Sequence, residues 1–151
     1  MLSCPTDLWR AVHKDDFPDG PIVNEKAVTG VLYPTFEKKP IGNDKVGNVR
    51  YRDPDVVITN GMVQTGGGTS LYNKSNFFKG KNWNYMPIPQ GTPVDPNLSI
   101  TGPDSRPALQ ADHYQIEAAK PIFVEAFKGA LDNLARAAVE KAYANARKGK
   151  P

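Results

Sequence analysis

The sequence predicts an α+β domain, a strand-rich body carrying one long helix at its C-terminal end. Three observations support that expectation. Phe123, Phe127, Ala130, Leu131, Leu134, Ala138 and Ala142 recur at helical spacing and make one apolar stripe. Ahead of that stripe the chain breaks into short alternating or β-branched runs punctuated by glycine and proline. The length of 151 residues can bury roughly 68–70% of the unfolded surface without a disulfide or metal staple. Residues 1–151 are therefore read as a single domain.

Taken in order, Leu8–His13 is the first strand, stopped by Lys14-Asp15-Asp16 and the turn formers Pro18, Gly20 and Pro21. Residues 22–50 carry little pattern beyond a short strand at Val28–Leu32. Asp55–Thr59 is β-branched and predicts a buried strand. Asn60-Gly61 predicts a turn from which Met62–Gln64 pairs back. Three glycines, Gly66 to Gly68, give the backbone freedom to approach something closely before Thr69–Tyr72. Trp83–Ile88 is a further strand. Residues 87–107 hold six of the 14 prolines, which excludes helix and leaves strand only in pieces such as Leu98–Ile100 within a long loop. His113–Glu117 is a strand. Pro121 suits the first helical position, and the helix is expected to run to about residue 147.

Composition narrows the function classes. Nineteen basic and 16 acidic residues leave a net charge of +3, too mild for the clustered basic face of a nucleic-acid binder. The most basic stretch, Arg147, Lys148 and Lys150, suits the negative end of a helix dipole. Cys4 is the one cysteine and cannot pair internally. With only two histidines beside it there is no zinc-ligand set, so no metal is expected. No apolar run approaches the ~18 residues of a membrane span. The opening MLSCPTDLWRAV lacks the basic-then-apolar order of a cleavable signal peptide. The expectation is synthesis in the cytoplasm, with any export through machinery that reads no such peptide.

Three places carry chemistry. In a strand, Leu8, Arg10 and Val12 share one face, so Arg10 is a guanidinium set among apolar residues. It is either an edge-strand arginine, a structural ion-pair partner or a bidentate holder of an anion such as phosphate. The Gly66–Tyr72 segment fits neither the P-loop, which needs Gly-Lys-Ser/Thr, nor the dinucleotide fingerprint. Thr69 and Ser70 either edge a tight hairpin, or brace another side chain or contact a ribose. In Ala111–Glu117, His113, Gln115 and Glu117 point one way and Tyr114 and Ile116 the other. Either His113 is a structural histidine or the three polar groups line a cleft.

The order and character of these places resemble one family. The match runs through LWRAV (Leu8–Val12), YPTF (Tyr33–Phe36), GGTSLY (Gly67–Tyr72), LQADHYQI (Leu109–Ile116), AAKPIF (Ala118–Phe123) and LDNLARAAV (Leu131–Val139). It is similar to the type VI secretion exported effector-two family, interbacterial toxins with an ADP-ribosyltransferase-like fold. The resemblance implies a cleft that binds NAD as substrate. In it Arg10 would hold the phosphates, and Thr69 and Ser70 would shape the ribose pocket opposite His113. Tyr72, Phe77 and Phe78 are candidates to stack on nicotinamide. Many active transferases carry a glutamate where this chain has His113. Glu117, in Gln115-Ile116-Glu117, is a substitute on the same expected face, so His113, Glu117 and Ser70 are the candidate catalytic groups.

The implied function is a toxin that transfers ADP-ribose from NAD or releases it to water in a target-cell cytoplasm. The implied partners are a secretion apparatus and a cognate immunity protein covering the cleft mouth near residues 87–107. Two rivals stand beside this reading. One is a non-enzymatic toxin that uses the same fold to block a target. The other is an RNA-directed transferase, to which the modest charge gives little support.

Overall fold

The computed structural model describes residues 2–78 and 80–148. Lys150 lies outside the described residues. In chain order the strands are β1 (Leu8–His13), β2 (Ile22–Val23), β3 (Lys26–Ala27), β4 (Lys39–Asn43), β5 (Val49–Arg52), β6 (Ile58–Thr59) and β7 (Met62–Val63). There follow β8 (Gly68–Tyr72), β9 (Trp83–Ile88), β10 (Leu98–Arg106), β11 (Ala111–Ala118) and β12 (Ile122–Phe123), and then the helix α1 (Val124–Arg147). The α+β expectation holds.

The body is a five-stranded antiparallel sheet in the order β10-β11-β8-β1-β9. One face is apolar. Leu8, Leu71, Met86, Ile88, Leu98 and Ile116 are fully buried there, and they belong to one core with Phe127, Ala130, Leu131, Leu134 and Ala138 of α1. The helical stripe read from the sequence is thus core along most of its length, although Phe123 at its start is 65% exposed. A small sheet, β12-β7-β6, packs beside the helix.

Several elements differ from the expectation, each for a visible reason. The helix begins at Val124, beyond Pro121, because Ile122 and Phe123 pair with Val63 and Met62. Residues 28–32 form turns, and the short strand is Lys26–Ala27, paired with Ile22–Val23. Val31 and Leu32 are buried without a ladder, anchored by Gly30 N–H donating to Asp132 Oδ1 at 3.0 Å. Of Asp55–Thr59 only Ile58–Thr59 is strand, and Val57 is 65% exposed, so that run lies at the surface. The turn at Asn60-Gly61 forms as expected, with φ of 53° and 76°. The β4–β5 hairpin was not legible, because an exposed ribbon carries no apolar alternation.

The largest revision is β10, a nine-residue strand where a proline-rich loop was expected. It is an outer strand of the sheet, so Pro103 leaves no interior ladder broken. A bulge accommodates the Gly102-Pro103 step. Thr101 pairs with Gln115 and Asp104 with His113, so three steps on β10 match two on β11.

Candidate active site

Cross-strand register decides which side chains meet, because directly paired residues share a face. On β8 and β11, Thr69 pairs with Ile116 and Leu71 with Tyr114, all on the core face. Ser70 pairs with Gln115, Tyr72 with His113 and Gly68 with Glu117, so those side chains stand on the outer face. On β1, Arg10 pairs with the fully buried Met86 and lies between the buried Leu8 and Val12.

The six candidate residues are therefore divided. Ser70, Tyr72 and His113 come together on the outer face, Glu117 lies further along the same face, and Arg10 and Thr69 lie on the core face. The expectation that all would converge in one cleft is corrected by strand periodicity. Adjacent residues such as Thr69 and Ser70 cannot point the same way, and Arg10 has the parity of the core residues flanking it.

On the core face the two residues share one task. Thr69, with no exposed surface, donates its hydroxyl to the Leu32 carbonyl at 2.6 Å. Arg10 Nη2 donates to the Tyr33 carbonyl at 3.0 Å. Together they clamp the Leu32–Tyr33 backbone to the sheet, while Tyr33 Oη donates to Asp132 Oδ2 of α1 at 2.8 Å. Burial pushes the Arg10 pKa down; nearby Asp55 opposes the shift and Arg52 adds to it. Arg10 Nε is buried with no acceptor.

The outer face has a different character. His113 Nε2 lies 3.0 Å from Ser70 Oγ, and its Nδ1 lies 3.3 Å from Arg106 Nη2. Arg106 in turn donates from Nε and Nη2 to Asp104 Oδ2, at 3.1 and 2.8 Å. His113 is buried, and that burial, followed by the Arg106 charge, pushes its pKa below the ordinary imidazole value against the pull of Asp104. The ring is therefore neutral at physiological pH. Further along β11, Glu117 is held by three donors. Its Oε1 accepts from Gly66 N–H at 3.2 Å, and its Oε2 from Thr101 Oγ1 at 3.1 Å and Gln115 Nε2 at 3.3 Å. These bonds aim the carboxylate.

Aromatic rings wall the other side. The Tyr72 ring sits 5.2 Å from the His113 ring and 4.3 Å from Phe77, and Phe77 lies 5.0 Å from Tyr85. Tyr85 Oη accepts from Phe78 N–H and donates to the Phe78 carbonyl, both at 3.1 Å, which ties the segment after β8 to the sheet. Phe77 is thus a packing ring, 6% exposed. Tyr72 is only half-buried and is the ring beside the Ser70–His113 pair.

A cavity of about 300 Å³ opens beside this cluster, lined by Thr101, Gly102, Asp104, Arg106, His113 and Gln115. A larger one, about 410 Å³, lies between the β2–β3 hairpin and α1. Its Asp132 is committed to Gly30 and Tyr33, and it holds none of the candidate residues, whereas the smaller cavity takes in His113. Sequence reasoning missed Asp104 and Arg106 because they fall in the proline-rich stretch. The available signal was a Gly-Pro step inside an alternating polar run, which is how a bulged edge strand reads. Among the described residues no cluster of three or more His, Cys, Asp or Glu is placed to hold a metal. No described helix is long and apolar enough to cross a membrane.

Comparison with known proteins gives this geometry its context. Toxin Tse2 of Pseudomonas aeruginosa is 30% identical over 151 residues, spanning 93% of this chain and 92% of that protein. The profile of the family described as Tse2 ADP-ribosyltransferase toxin matches residues 5–143. That stretch takes in the whole five-stranded sheet and most of α1, and the resemblance read from the sequence blocks holds. The chain belongs to the Tse2 ADP-ribosyltransferase toxin family.

Proposed function

We propose that this toxin binds the nicotinamide-ribose half of NAD on the outer face of β8 and β11 and there passes ADP-ribose to an acceptor or to water. NAD is the substrate that the family implies. In the reaction the nicotinamide–ribose bond breaks, its electron pair leaves with nicotinamide, and the acceptor gives up a proton as it bonds to the ribose. The observation that carries this reading is the alignment on one face of a hydroxyl, an imidazole, a tyrosine ring and a carboxylate held by three donors.

The residues suit the half-molecule. Tyr72 offers a half-buried ring against which a flat heterocycle can stack. Glu117 sits two strand repeats, about 13 Å, from His113 along β11, with its charge fixed toward the same face. A preorganised carboxylate stabilises positive charge that develops on the sugar. Ser70 and His113 supply a hydrogen-bonding pair for the ribose or the carboxamide. Arg10 and Thr69 act from the opposite face by holding the Leu32–Tyr33 backbone. A dinucleotide on β8 and β11 cannot reach Arg10 through the sheet, so the phosphate role falls away from it.

As a member of this family the protein is read as leaving its cell through a secretion apparatus, acting in a target-cell cytoplasm and being neutralised at home by a cognate immunity protein. Purified protein incubated with NAD and target-cell lysate tests the enzymatic reading. Free nicotinamide, or macromolecules carrying labelled ADP-ribose, is the expected result. If neither appears while the toxin still kills, it acts by binding and not by catalysis.

A further inference from the structure

Asp104, Arg106, His113 and Ser70 form one hydrogen-bonded line across β10, β11 and β8. Its polarity is set by its second member. A guanidinium has five N–H donors and no acceptor, so toward His113 it can only donate. Nδ1 must then be the bare nitrogen of a neutral ring, and the ring proton sits on Nε2. Nε2 faces Ser70 Oγ at 3.0 Å, so the imidazole donates to the serine. The Ser70 hydroxyl proton is consequently directed away from His113, to another acceptor. This polarity is the reverse of a serine nucleophile activated by histidine, where a carboxylate holds Nδ1–H and leaves Nε2 to accept.

The β10 bulge builds the line. Without the extra residue, Asp104 and Arg106 would have the opposite parity and point into the core. Gly102 makes the bulge possible, with φ of 132° and a position where an added Cβ would lie 2.8 Å from the His113 carbonyl. The groups facing His113 are Arg106 and Asp104 from β10, Ser70 and Tyr72 from β8 and, on its own strand, Gln115. None of them is a carboxylate bonded to Nδ1.

We propose that Arg106, braced by Asp104, is a positioning residue that fixes the His113 proton on Nε2. His113 then donates to Ser70, and Ser70 donates its own proton to an acceptor oxygen of a ligand lying on the outer face of β8 and β11, a ribose hydroxyl or a carboxamide. The identity of that acceptor rests on the NAD reading above; the direction of the line does not.

Histidine ¹⁵N spectra test the direction with no ligand present. The chain has two histidines, and a His13→Gln variant assigns both. The expected result is a bare Nδ1 and a protonated Nε2 for His113 near pH 7. In Arg106→Met, at a residue exposed enough to change without unfolding the chain, the Nδ1–H tautomer should become populated. A protonated Nδ1 in the unmodified protein, or an unchanged spectrum in Arg106→Met, would overturn the proposal. Activity supplies the second readout. Glutamine carries an N–H at the reach of Nε2, so His113→Gln should stay within about 10-fold of the parent rate, and His113→Ala should fall about 100-fold, as loss of a preorganised donor does. Equal loss in both variants would mean that His113 exchanges protons, and would refute the donor role. If the tautomer is as expected but no variant or parent releases nicotinamide, the NAD reading fails while the direction of the line stands.

Discussion

Thr69 and Ser70 are neighbours in sequence with opposite fates, and exchanging each hydroxyl for an apolar group separates the two faces of the sheet. Thr69→Val keeps the volume of the side chain and removes the donor to the Leu32 carbonyl, a 2.6 Å bond at a site with no exposed surface. The carbonyl is left buried and unpaired, which costs about 1–3 kcal/mol. For a domain of this size each kcal/mol moves the melting temperature by about 2–4 °C, so a fall of roughly 2–12 °C is expected. Ser70→Ala removes a half-buried hydroxyl whose partner His113 keeps its Arg106 contact, so its melting temperature should move by less than about 2 °C. Its nicotinamide release should fall about 100-fold. Thermal melts by circular dichroism and a nicotinamide assay on both variants, each at a temperature where the protein is folded, measure the contrast. The reasoning is refuted if Thr69→Val melts with the parent and loses activity, while Ser70→Ala is destabilised and stays active.

Three further outcomes follow from other parts of the molecule. Gly102→Ala should cost about 1–3 kcal/mol, from its left-handed φ and the contact of the new Cβ with the His113 carbonyl, and should lower activity in the folded fraction by displacing Arg106; denaturant titration with an activity assay checks both. Cys4 is buried, with its Sγ donating to the Thr6 carbonyl at 3.1 Å, and burial pushes its pKa up to about 11. At pH 8 a disulfide reagent should therefore leave the folded protein unmodified and react with one thiol after denaturation. The lowered pKa of His113 means that between its ordinary value and its folded one the unfolded chain binds more protons, so stability falls as the pH drops below about 6.5. Melts at pH 7 and pH 5 should show that loss in the parent, reduced in His113→Gln.

Much of the fold was legible because its signals were local. The alternation in Leu8–His13, the turn at Asn60-Gly61 and the apolar stripe of α1 each declare their own element. The outer-face group on β11 was legible for the same reason, since His113, Gln115 and Glu117 are separated by the strand period. What could not be read was relational. Parity within each strand already sets Arg10 on the core side and His113 on the other, but that β8 lies between β1 and β11, and so brings Ser70 to His113, is a pairing that no local pattern states. Arg106 joins the site only because one bulge shifts parity partway along an edge strand. The Asp55–Thr59 run failed for a third reason. Its β-branched residues promised burial, but only Val56 finds core to pack against, and the chain turns back at Asn60-Gly61.

The central claim is that substrate chemistry belongs to the face bearing Ser70 and His113 and not to the face bearing Arg10. Protein labelled with ¹⁵N-histidine and ¹⁵N-arginine can be titrated with the carbocyclic analogue of NAD, whose ring-to-sugar bond does not break. The account predicts that the His113 ring signals move as the analogue binds, while those of His13 and the buried Arg10 Nε stay in place. A shift of Arg10 Nε with His113 unmoved would contradict it and return the phosphate role to Arg10.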